Sequence, residues 1–276
     1  MKTIVALALL ATTANAVVRP TWFDGNGLES ICGSDQAKGA ACVKDSDPVK
    51  YKLGKAIARL SLPDGNYCTG FLWGSEGHFL TNHHCYSTQD EVSQSKWEFD
   101  AECATCDDPN NNKQLACKGT IAATNATLLW ADKGLDFALV KLQPSAGIDL
   151  SKWGYLKARA KPASLDEEVW VVGHPAIKPK RFTWLNDDGK SAKIVNPSTP
   201  SQCGETDTYG YNADTEGGSS GSPILSQVDN LVISLHNCGG CNATGGQNTG
   251  NKLHKIIDFL NEKKLLPKDA VATTSC

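Results

Sequence analysis

A serine flanked by glycines is the first candidate for chemistry in this 276-residue sequence. Ser220 lies in the segment EGGSSGSPI, where a glycine-rich turn leads through a proline into an apolar run. Glycines let backbone N–H groups converge on one point, which is what stabilising an oxyanion requires. The N–H groups of Gly218 and Ser220 are the expected donors. The same letters also fit an ordinary Gly/Ser loop, so a nucleophile is predicted only if helper residues exist elsewhere.

Two further segments carry the helper residues that a serine nucleophile requires. The apolar run FLTNHHC ends in His83, His84 and Cys85, and an imidazole can accept the proton of a serine hydroxyl. In GLDFALVKL, Asp136 directly precedes an apolar run. An aspartate there can orient the histidine and stabilise the imidazolium. In isolation, a surface turn or a metal site would explain the histidines, and a turn-capping role would explain the aspartate.

In chain order the three segments give histidine, aspartate and serine, which is one of the known orders of a catalytic triad. The sequence here resembles the trypsin-like, chymotrypsin-fold serine peptidases. In that family the histidine directly precedes a cysteine, the aspartate opens an apolar strand, and the serine lies in a G-x-S-G-x-P turn. The resemblance implies catalytic roles for His84, Asp136 and Ser220, and His84 is preferred to His83 because it adjoins Cys85.

The resemblance covers most of residues 52–266 and implies an all-β fold. That fold has two antiparallel β-barrels of the six-stranded type, with the active site between them, and a C-terminal α-helix. Short apolar runs separated by turn residues independently favour a β-sandwich or barrel. These runs cover residues 55–62, 68–73, 78–81, 115–123, 137–142, 169–172, 222–225 and 231–235. Near the C-terminus, KLHKIIDFLNEKKLL (252–266) has helical apolar spacing and predicts one amphipathic helix.

Several details resemble the lysyl and glutamyl endopeptidase branch more closely than animal trypsins. They are the GSSGSP form of the serine turn, the HHC triplet, the GHP triplet at residues 173–175 and the LH pair at residues 235–236. Ser219 stands where animal trypsins carry an aspartate that receives a newly cut N-terminus, and the sequence has no IVGG-like start. We therefore predict that activation does not use a buried terminal ammonium.

The cysteines can be interpreted through the same resemblance. It implies a disulfide between Cys68 and Cys85, and it implies that Cys32 and Cys42 pair with members of the 103/106 and 238/241 pairs, in an order left open. Both of those C-x-x-C pairs also have the spacing of a structural zinc site, which stays an alternative. The chain has eleven cysteines, so at least one is free or bonded to another chain, and Cys276 is the candidate.

Two hypotheses concern the substrate side chain before the cut bond. Asp214 lies six residues before Ser220, where trypsin carries a carboxylate at the base of its pocket, and this predicts cleavage after Lys or Arg. Lysyl endopeptidases carry that carboxylate later, and the matching stretch 245–251 has no acid. Glutamyl endopeptidases instead use a histidine and a neighbouring threonine or serine, which His236 and Thr215 match. The lysyl branch also has a histidine there, so we predict Lys or Arg, with glutamate as the alternative.

The N-terminal segment MKTIVALALLATTANA predicts export. A lysine, a short apolar run and an A-x-A site are typical of a signal peptide, here residues 1–16. Residues 17–50, rich in Gly, Asp and Ser, are expected to form an extended arm or a short propeptide, and residues 51–276 the peptidase domain. In an exported protein the cysteines mostly pair, and Asn125 and Asn242 lie in glycosylation sequons.

Charge and composition indicate which kinds of molecule this protein is expected to bind. The net charge is −3, and becomes −4 when the signal peptide with Lys2 is removed, without a basic patch. This gives no support to nucleic acid or an anionic membrane as partner. Protein or peptide substrates, no cofactor, no metal and a monomer are expected. The rival from another class is a catalytically inactive, peptidase-like binding protein.

Overall fold

The computed structural model describes residues 30–273. The predicted signal peptide at residues 1–16, the first part of the arm at residues 17–29 and Cys276 lie outside the described residues. Within residues 30–273, no helix has the length and apolar character needed to cross a membrane.

The N-terminal arm is partly helical. After the two-residue strand β1 (Lys38–Gly39), the chain forms helices α1 (Ala40–Ser46) and α2 (Pro48–Gly54). Proline suits the first turn of a helix because its missing N–H has no partner there, and the Asp47 side chain caps α2 by accepting the N–H of Lys50. The prediction of an extended arm is therefore wrong for these helices, because the fully buried Val43 anchors α1 to the core.

The first half of the domain is a closed six-stranded antiparallel barrel, with the spatial order β2-β3-β4-β7-β6-β5. Its strands are β2 (Ile57–Ser61), β3 (Tyr67–Leu72), β4 (His78–Thr81), β5 (Lys96–Phe99), β6 (Thr120–Asp132) and β7 (Phe137–Pro144). Aromatic residues fill its interior: Phe79 lies edge-on to Trp97 and to Phe99, with ring centroids 6.5 and 6.2 Å apart. Such pairs stabilise a core beyond their buried area.

The second half is an eight-stranded antiparallel sheet, ordered β1-β9-β8-β12-β13-β16-β11-β10. Its strands after β1 are β8 (Val169–Gly173), β9 (Arg181–Thr183), β10 (Ile194–Thr199), β11 (Thr208–Tyr211), β12 (Pro223–Ser226), β13 (Val232–Cys238) and β16 (Asn248–Lys252). A small hairpin of β14 (Cys241–Asn242) and β15 (Gly245–Gly246) lies between β13 and β16 along the chain. The arm joins this sheet because β1 pairs with β9.

Two more α-helices lie among the described residues. Helix α3 (Gln89–Ser93) begins at a capping box formed by Thr88 and Glu91. Helix α4 (Leu253–Glu262) is the predicted C-terminal helix, and its apolar face is buried at Leu253, Ile256, Ile257 and Leu260. Its Phe259 ring packs against Trp130 and Phe137 of the first barrel, so α4 links the two halves. The predicted fold class, all-β with β-barrels and a C-terminal helix, is confirmed, although the second half has eight strands where six were predicted.

Five disulfides connect the described cysteines. The bonds are Cys32–Cys241, Cys42–Cys106, Cys68–Cys85, Cys103–Cys117 and Cys203–Cys238. Two of them attach the arm to the body of the domain. The members of both C-x-x-C pairs bond to four different partners, so their sulfurs are not available as thiolate ligands for the alternative zinc site.

A buried carboxylate holds the arm against the second sheet. Asp214 is 6% exposed and accepts the backbone N–H of Cys32 through Oδ1 at 2.9 Å and that of Gln36 through Oδ2 at 2.7 Å. Burial, more than any other cause, raises the pKa of Asp214 to about 6 from an ordinary 3.8, although both N–H groups act in the opposite direction. The charges of Asp35 and Asp187 raise this pKa further.

This raised pKa predicts a distinctive pH dependence of stability. The folded protein holds a proton on Asp214 more readily than the unfolded chain does. The stabilising contribution of Asp214 is therefore complete below about pH 4 and is lost as the pH rises through about 6, a change of about 2–3 kcal/mol. Urea unfolding of the disulfide-intact protein and of Asp214→Asn, from pH 4 to pH 7.5, measures this contribution as the difference between their free energies of unfolding.

Taking the difference removes the contribution of titrating groups that do not interact with Asp214, because they behave alike in both proteins. The wild-type advantage over Asp214→Asn is expected to fall across this pH range. A difference that is constant or grows with pH would show that the pKa of Asp214 is not raised in the folded state.

Candidate active site

Strand pairing in the first barrel brings two of the predicted site residues together. Strands β4 and β7 are antiparallel, with Thr81 opposite Ala138. His84 lies three residues beyond the end of β4, and Asp136 lies directly before the start of β7. In an antiparallel pair, the end of one strand and the start of the next meet at the same edge. The two side chains therefore lie at the same rim of the barrel.

The contacts at this rim form a continuous hydrogen-bonded chain. His84 Nδ1 lies 2.9 Å from Asp136 Oδ2, and His84 Nε2 lies 2.8 Å from Ser220 Oγ. The backbone N–H of His84 also donates to Asp136 Oδ1 at 3.0 Å, so the carboxylate holds both the ring and the main chain. With the proton on Nδ1, Nε2 can accept the proton of the Ser220 hydroxyl.

The aspartate is itself firmly held. Its backbone has φ +41°, a left-handed conformation that aspartate tolerates better than most residues. Its carbonyl oxygen accepts the Asn82 side-chain amide at 2.9 Å. The side chain of Asp136 is 6% exposed while that of His84 is 39% exposed, so a buried anion supports an imidazole that can be reached from outside.

The neighbouring histidine is not part of this chain of contacts. His83 is half-buried, and among the described residues it is His84 that contacts Asp136 and Ser220. The disulfide between Cys68 and Cys85 ties the residue after His84 to strand β3. This bond restrains the backbone on which the imidazole stands.

Ser220, the third of the predicted catalytic residues, lies on a tight turn before β12 in the second sheet. Gly218 has φ +100° and Gly221 has φ +86°, which are conformations that favour glycine. A Cβ on Gly221 would lie 2.2 Å from the carbonyl oxygen of Thr69 and 2.3 Å from Thr81 Oγ1, so only glycine permits this close approach to the first barrel. The glycines of the motif therefore serve both the shape of the turn and its docking.

The two N–H groups predicted to stabilise an oxyanion belong to this turn. Both Gly218 and Ser220 are buried. The turn is closed by the Ser219 N–H, which donates to the carbonyl oxygen of Glu216 at 2.9 Å. Glu216 also forms an ion pair with Lys178, with Nζ and Oε2 2.6 Å apart, and this pair restrains the start of the turn.

One contact residue was not among the sequence predictions. Thr69 is fully buried on β3 and contacts the serine turn through both its side chain and its backbone. The only sequence signal for it is its position directly after Cys68, whose disulfide partner directly follows His84. That signal does not reveal the contact with the serine turn, because Thr69 and Ser220 are 151 residues apart in the chain.

The three predicted specificity residues have different surroundings. Both oxygens of Asp214 accept N–H groups of the arm, whereas the spacing to Ser220 predicts a carboxylate at the base of the substrate pocket that is available to a substrate cation. Thr215 is 1% exposed, and its hydroxyl has no hydrogen-bond partner among the described residues. The third residue, His236, lies beside the serine turn, because its carbonyl oxygen accepts the Gly221 N–H at 3.0 Å.

The imidazole of His236 is buried and neutral. Burial, with a smaller effect of the nearby His84, lowers the pKa of His236 to about 3. Its Nδ1 lies 2.5 Å from the Tyr211 hydroxyl and 3.1 Å from the carbonyl oxygen of Thr249. These contacts fix the ring between β11 and β16.

Solved structures share this architecture. The active form of the Rv3671c protease from M. tuberculosis has a TM-score of 0.55 at 19% identity, covering 95% of this chain and 97% of that one. Deg5 has a TM-score of 0.53 at 15% identity, covering 78% of this chain and 92% of that one. At these identities the likeness shows the fold alone.

A sequence relative and a family model extend the comparison. The secreted RxLR effector protein 73 of Plasmopara viticola is 39% identical over 246 residues, which are 88% of this chain. The chain spans only 58% of that relative's length. The family model described as a trypsin-like peptidase domain matches residues 68–235, more than half of the chain and a range that includes His84, Asp136 and Ser220. The chain therefore belongs to the trypsin-like peptidase domain family.

Proposed function

We propose that this protein is an exported serine endopeptidase that hydrolyses peptide bonds through His84, Asp136 and Ser220. The observation that carries the proposal is the hydrogen-bonded chain from Asp136 through His84 to Ser220, with contacts of 2.9 and 2.8 Å. These distances lie within the range needed for proton transfer between a nucleophile and a general base.

The reaction follows from this geometry. Ser220 Oγ attacks the peptide carbonyl carbon while its proton passes to His84 Nε2, and the carbonyl oxygen becomes an oxyanion that the N–H groups of Gly218 and Ser220 stabilise. The imidazolium, held by Asp136, gives the proton to the leaving amine as the carbon–nitrogen bond breaks. Water then attacks the acyl-enzyme, with His84 accepting its proton and returning it to Ser220. No cofactor is needed for these steps.

Export is supported by the cysteines of the domain. Five disulfides among the described residues are typical of proteins that fold in an oxidising compartment. The relative from Plasmopara viticola is named a secreted effector, which is consistent with export. The sequons at Asn125 and Asn242 are both exposed and would be accessible to glycosylation. We expect a monomer that acts on protein or peptide substrates.

Within the family we assign the chain to the lysyl and glutamyl endopeptidase branch, on the motifs described above. For the residue before the cut bond, the contacts of Asp214 weigh against the predicted preference for Lys or Arg. Its two oxygens already accept N–H groups of the arm, and a substrate ammonium would have to compete with them. The specificity proposal therefore passes to the alternative, glutamate.

Two features support glutamate. Thr215 offers a buried hydroxyl that has no partner among the described residues, five residues before the nucleophile. His236 contributes a neutral imidazole beside the same turn. A neutral site with a hydroxyl and an imidazole suits a carboxylate, because both can donate hydrogen bonds and the bound anion favours protonation of His236.

A second candidate function is a peptidase-like protein that binds a partner without catalysis. The name of the Plasmopara viticola relative, an effector, is the observation that favours it. Against it stands the hydrogen-bonded contact of all three catalytic side chains, because a protein that only binds has no need for that arrangement. The two candidates differ in the reactivity of Ser220.

Reactivity toward a phosphonofluoridate tests the proposed catalysis. The wild-type protein is expected to be labelled at Ser220, because a serine activated by His84 attacks phosphorus as it attacks a carbonyl. Ser220→Ala and His84→Ala are expected to lose labelling and to lower kcat on a peptide substrate by about 10⁴-fold or more. Peptide mapping of the labelled protein identifies the modified residue.

His83→Ala is the matched control, since His83 is the adjacent histidine and does not take part in the contacts with Asp136 and Ser220. It is expected to retain labelling and activity. A folded wild-type protein that remains unlabelled and cleaves no peptide would favour the binding protein instead.

A peptide series that differs only at the residue before the cut bond tests specificity. Glu is expected to be preferred to Gln, Lys, Arg and Ala. The change Thr215→Val removes the buried hydroxyl with little change in volume and is expected to lower kcat/KM for the Glu peptide by about tenfold, the value of one hydrogen bond to a charged group. The Ala peptide should be affected much less.

Asp214→Asn separates the two hypotheses. If Asp214 only holds the arm, this change leaves the ratio of kcat/KM for the Glu and Lys peptides unaltered. A strong preference for Lys or Arg in the wild-type protein that disappears in Asp214→Asn would restore the hypothesis of a charged pocket base.

A further inference from the structure

Thr69 contacts the serine turn through two separate hydrogen-bond donors. Its hydroxyl donates to the carbonyl oxygen of Gly218 at 2.8 Å, and its backbone N–H donates to the carbonyl oxygen of Ser220 at 2.8 Å. Gly218 and Ser220 are the two residues whose N–H groups are proposed to stabilise the oxyanion. One residue of the first barrel therefore holds the carbonyl groups of both oxyanion donors.

We propose that Thr69 is a positioning residue that fixes the orientation of the two oxyanion donors, an inference that rests on the proposed peptidase function. The carbonyl group of a residue belongs to the peptide plane after its Cα and its own N–H to the plane before it, so holding the carbonyl in place leaves fewer backbone rotations that can turn the N–H. This restriction matters most at Gly218, where a glycine at φ +100° has no side chain to limit its conformation. Preorganised donors stabilise a transition state because they need no reorientation during the reaction.

The hydroxyl group of Thr69 has a second partner that strengthens this arrangement. It accepts the backbone N–H of His174 at 3.0 Å, while the carbonyl oxygen of His174 packs against Gly218, 3.0 Å from where a Cβ would lie. The Thr69 hydroxyl therefore stands between the loop that follows β8 and the oxyanion turn. Both of its partners are buried main-chain groups that would lose a hydrogen bond if the hydroxyl were removed.

Thr69 is in turn fixed by its own strand and its neighbours. It is fully buried, pairs with Arg59 in the register of β2 and β3, and its carbonyl oxygen accepts Thr81 Oγ1 at 2.7 Å. The adjacent Cys68 is bonded to Cys85, beside His84. The general base and the oxyanion turn are thus aligned to the same short stretch of β3.

Three variants test the proposal. Thr69→Val removes the hydroxyl at nearly constant volume, and Thr69→Ser keeps it. Thr208→Val is the matched control, because Thr208 is also fully buried and donates one hydrogen bond, at 2.8 Å, to the carbonyl oxygen of Thr199 in the second sheet. The measurements are kcat and KM on a peptide amide, the inhibition constant of a peptide aldehyde, and the melting temperature.

Thr69→Val is expected to lower kcat by about 10- to 100-fold with little change in KM, because misaligned donors weaken transition-state stabilisation more than substrate binding. It should weaken inhibition by the aldehyde to a similar extent, since the aldehyde forms a tetrahedral adduct that uses the same donors. Thr69→Ser should restore kcat to within about threefold of wild type. Thr208→Val should lower the melting temperature and leave kcat unchanged.

The proposal is overturned if Thr69→Val keeps wild-type kcat, or if it loses no more kcat than Thr208→Val at a comparable loss of stability. It is also overturned if Thr69→Ser fails to restore activity while remaining folded. These outcomes differ from failure of the proposed function, in which the wild-type protein itself would be neither active nor labelled at Ser220.

Discussion

The seam between the barrel and the eight-stranded sheet is the constraint on which the site depends. His84 and Asp136 belong to the first half and Ser220 to the second, so the proposed catalysis requires the halves to be docked within hydrogen-bond tolerance. The docking is made by main-chain contact: Thr69 donates to the carbonyl oxygen of Ser220, and Gly221 packs against the carbonyl oxygen of Thr69. Such contacts allow little variation, because interiors are close-packed and a buried polar group without a partner is costly.

The N-terminal arm gives Asp214 a role that differs from the one its position in the sequence predicts. Asp214 has the spacing to the nucleophile that favours a charged pocket base, and its burial would suit that role. Its oxygens accept the N–H groups of Cys32 and Gln36 instead, and the Cys32–Cys241 disulfide fixes the arm in reach. A carboxylate that accepts two backbone hydrogen bonds has less capacity for a substrate cation.

The interior around the serine turn is polar but sparingly charged. Burial holds His236 neutral, and the carbonyl oxygen of Thr249 lies 3.1 Å from its ring. Strand β16, with the sequence NTGNK, is buried along its whole length although it is polar. Its polar groups form hydrogen bonds with neighbouring segments, and strands β11 and β13 pair with it on its two sides. Asn248, for example, donates to the carbonyl oxygens of Ser30 and Ala213 at 2.8 and 2.9 Å. Buried polar groups that are hydrogen-bonded in this way define a specific arrangement.

Local features could be predicted from the amino-acid sequence: the apolar runs of β4, β7 and β12, the amphipathic helix α4, and the motif residues around His84, Asp136 and Ser220. These depend on periodicity and turn chemistry within about ten residues, which a sequence displays directly. The sequence did not predict polar strands such as β16 or short strands such as β5. No apolar run marks them, because pairing with neighbouring strands stabilises them.

The long-range features follow from the three-dimensional fold. It paired Cys103 with Cys117 and Cys203 with Cys238, directed Asp214 to the arm, and put Thr69 against the serine turn. The contacts of Asp214 and Thr69 join segments that are far apart in the chain, and the two disulfides join loops 14 and 35 residues apart, so none of them has a local signal in the sequence. The sequence predicts the serine turn, but only the folded structure identifies Thr69 as the residue that binds the carbonyl groups of Gly218 and Ser220.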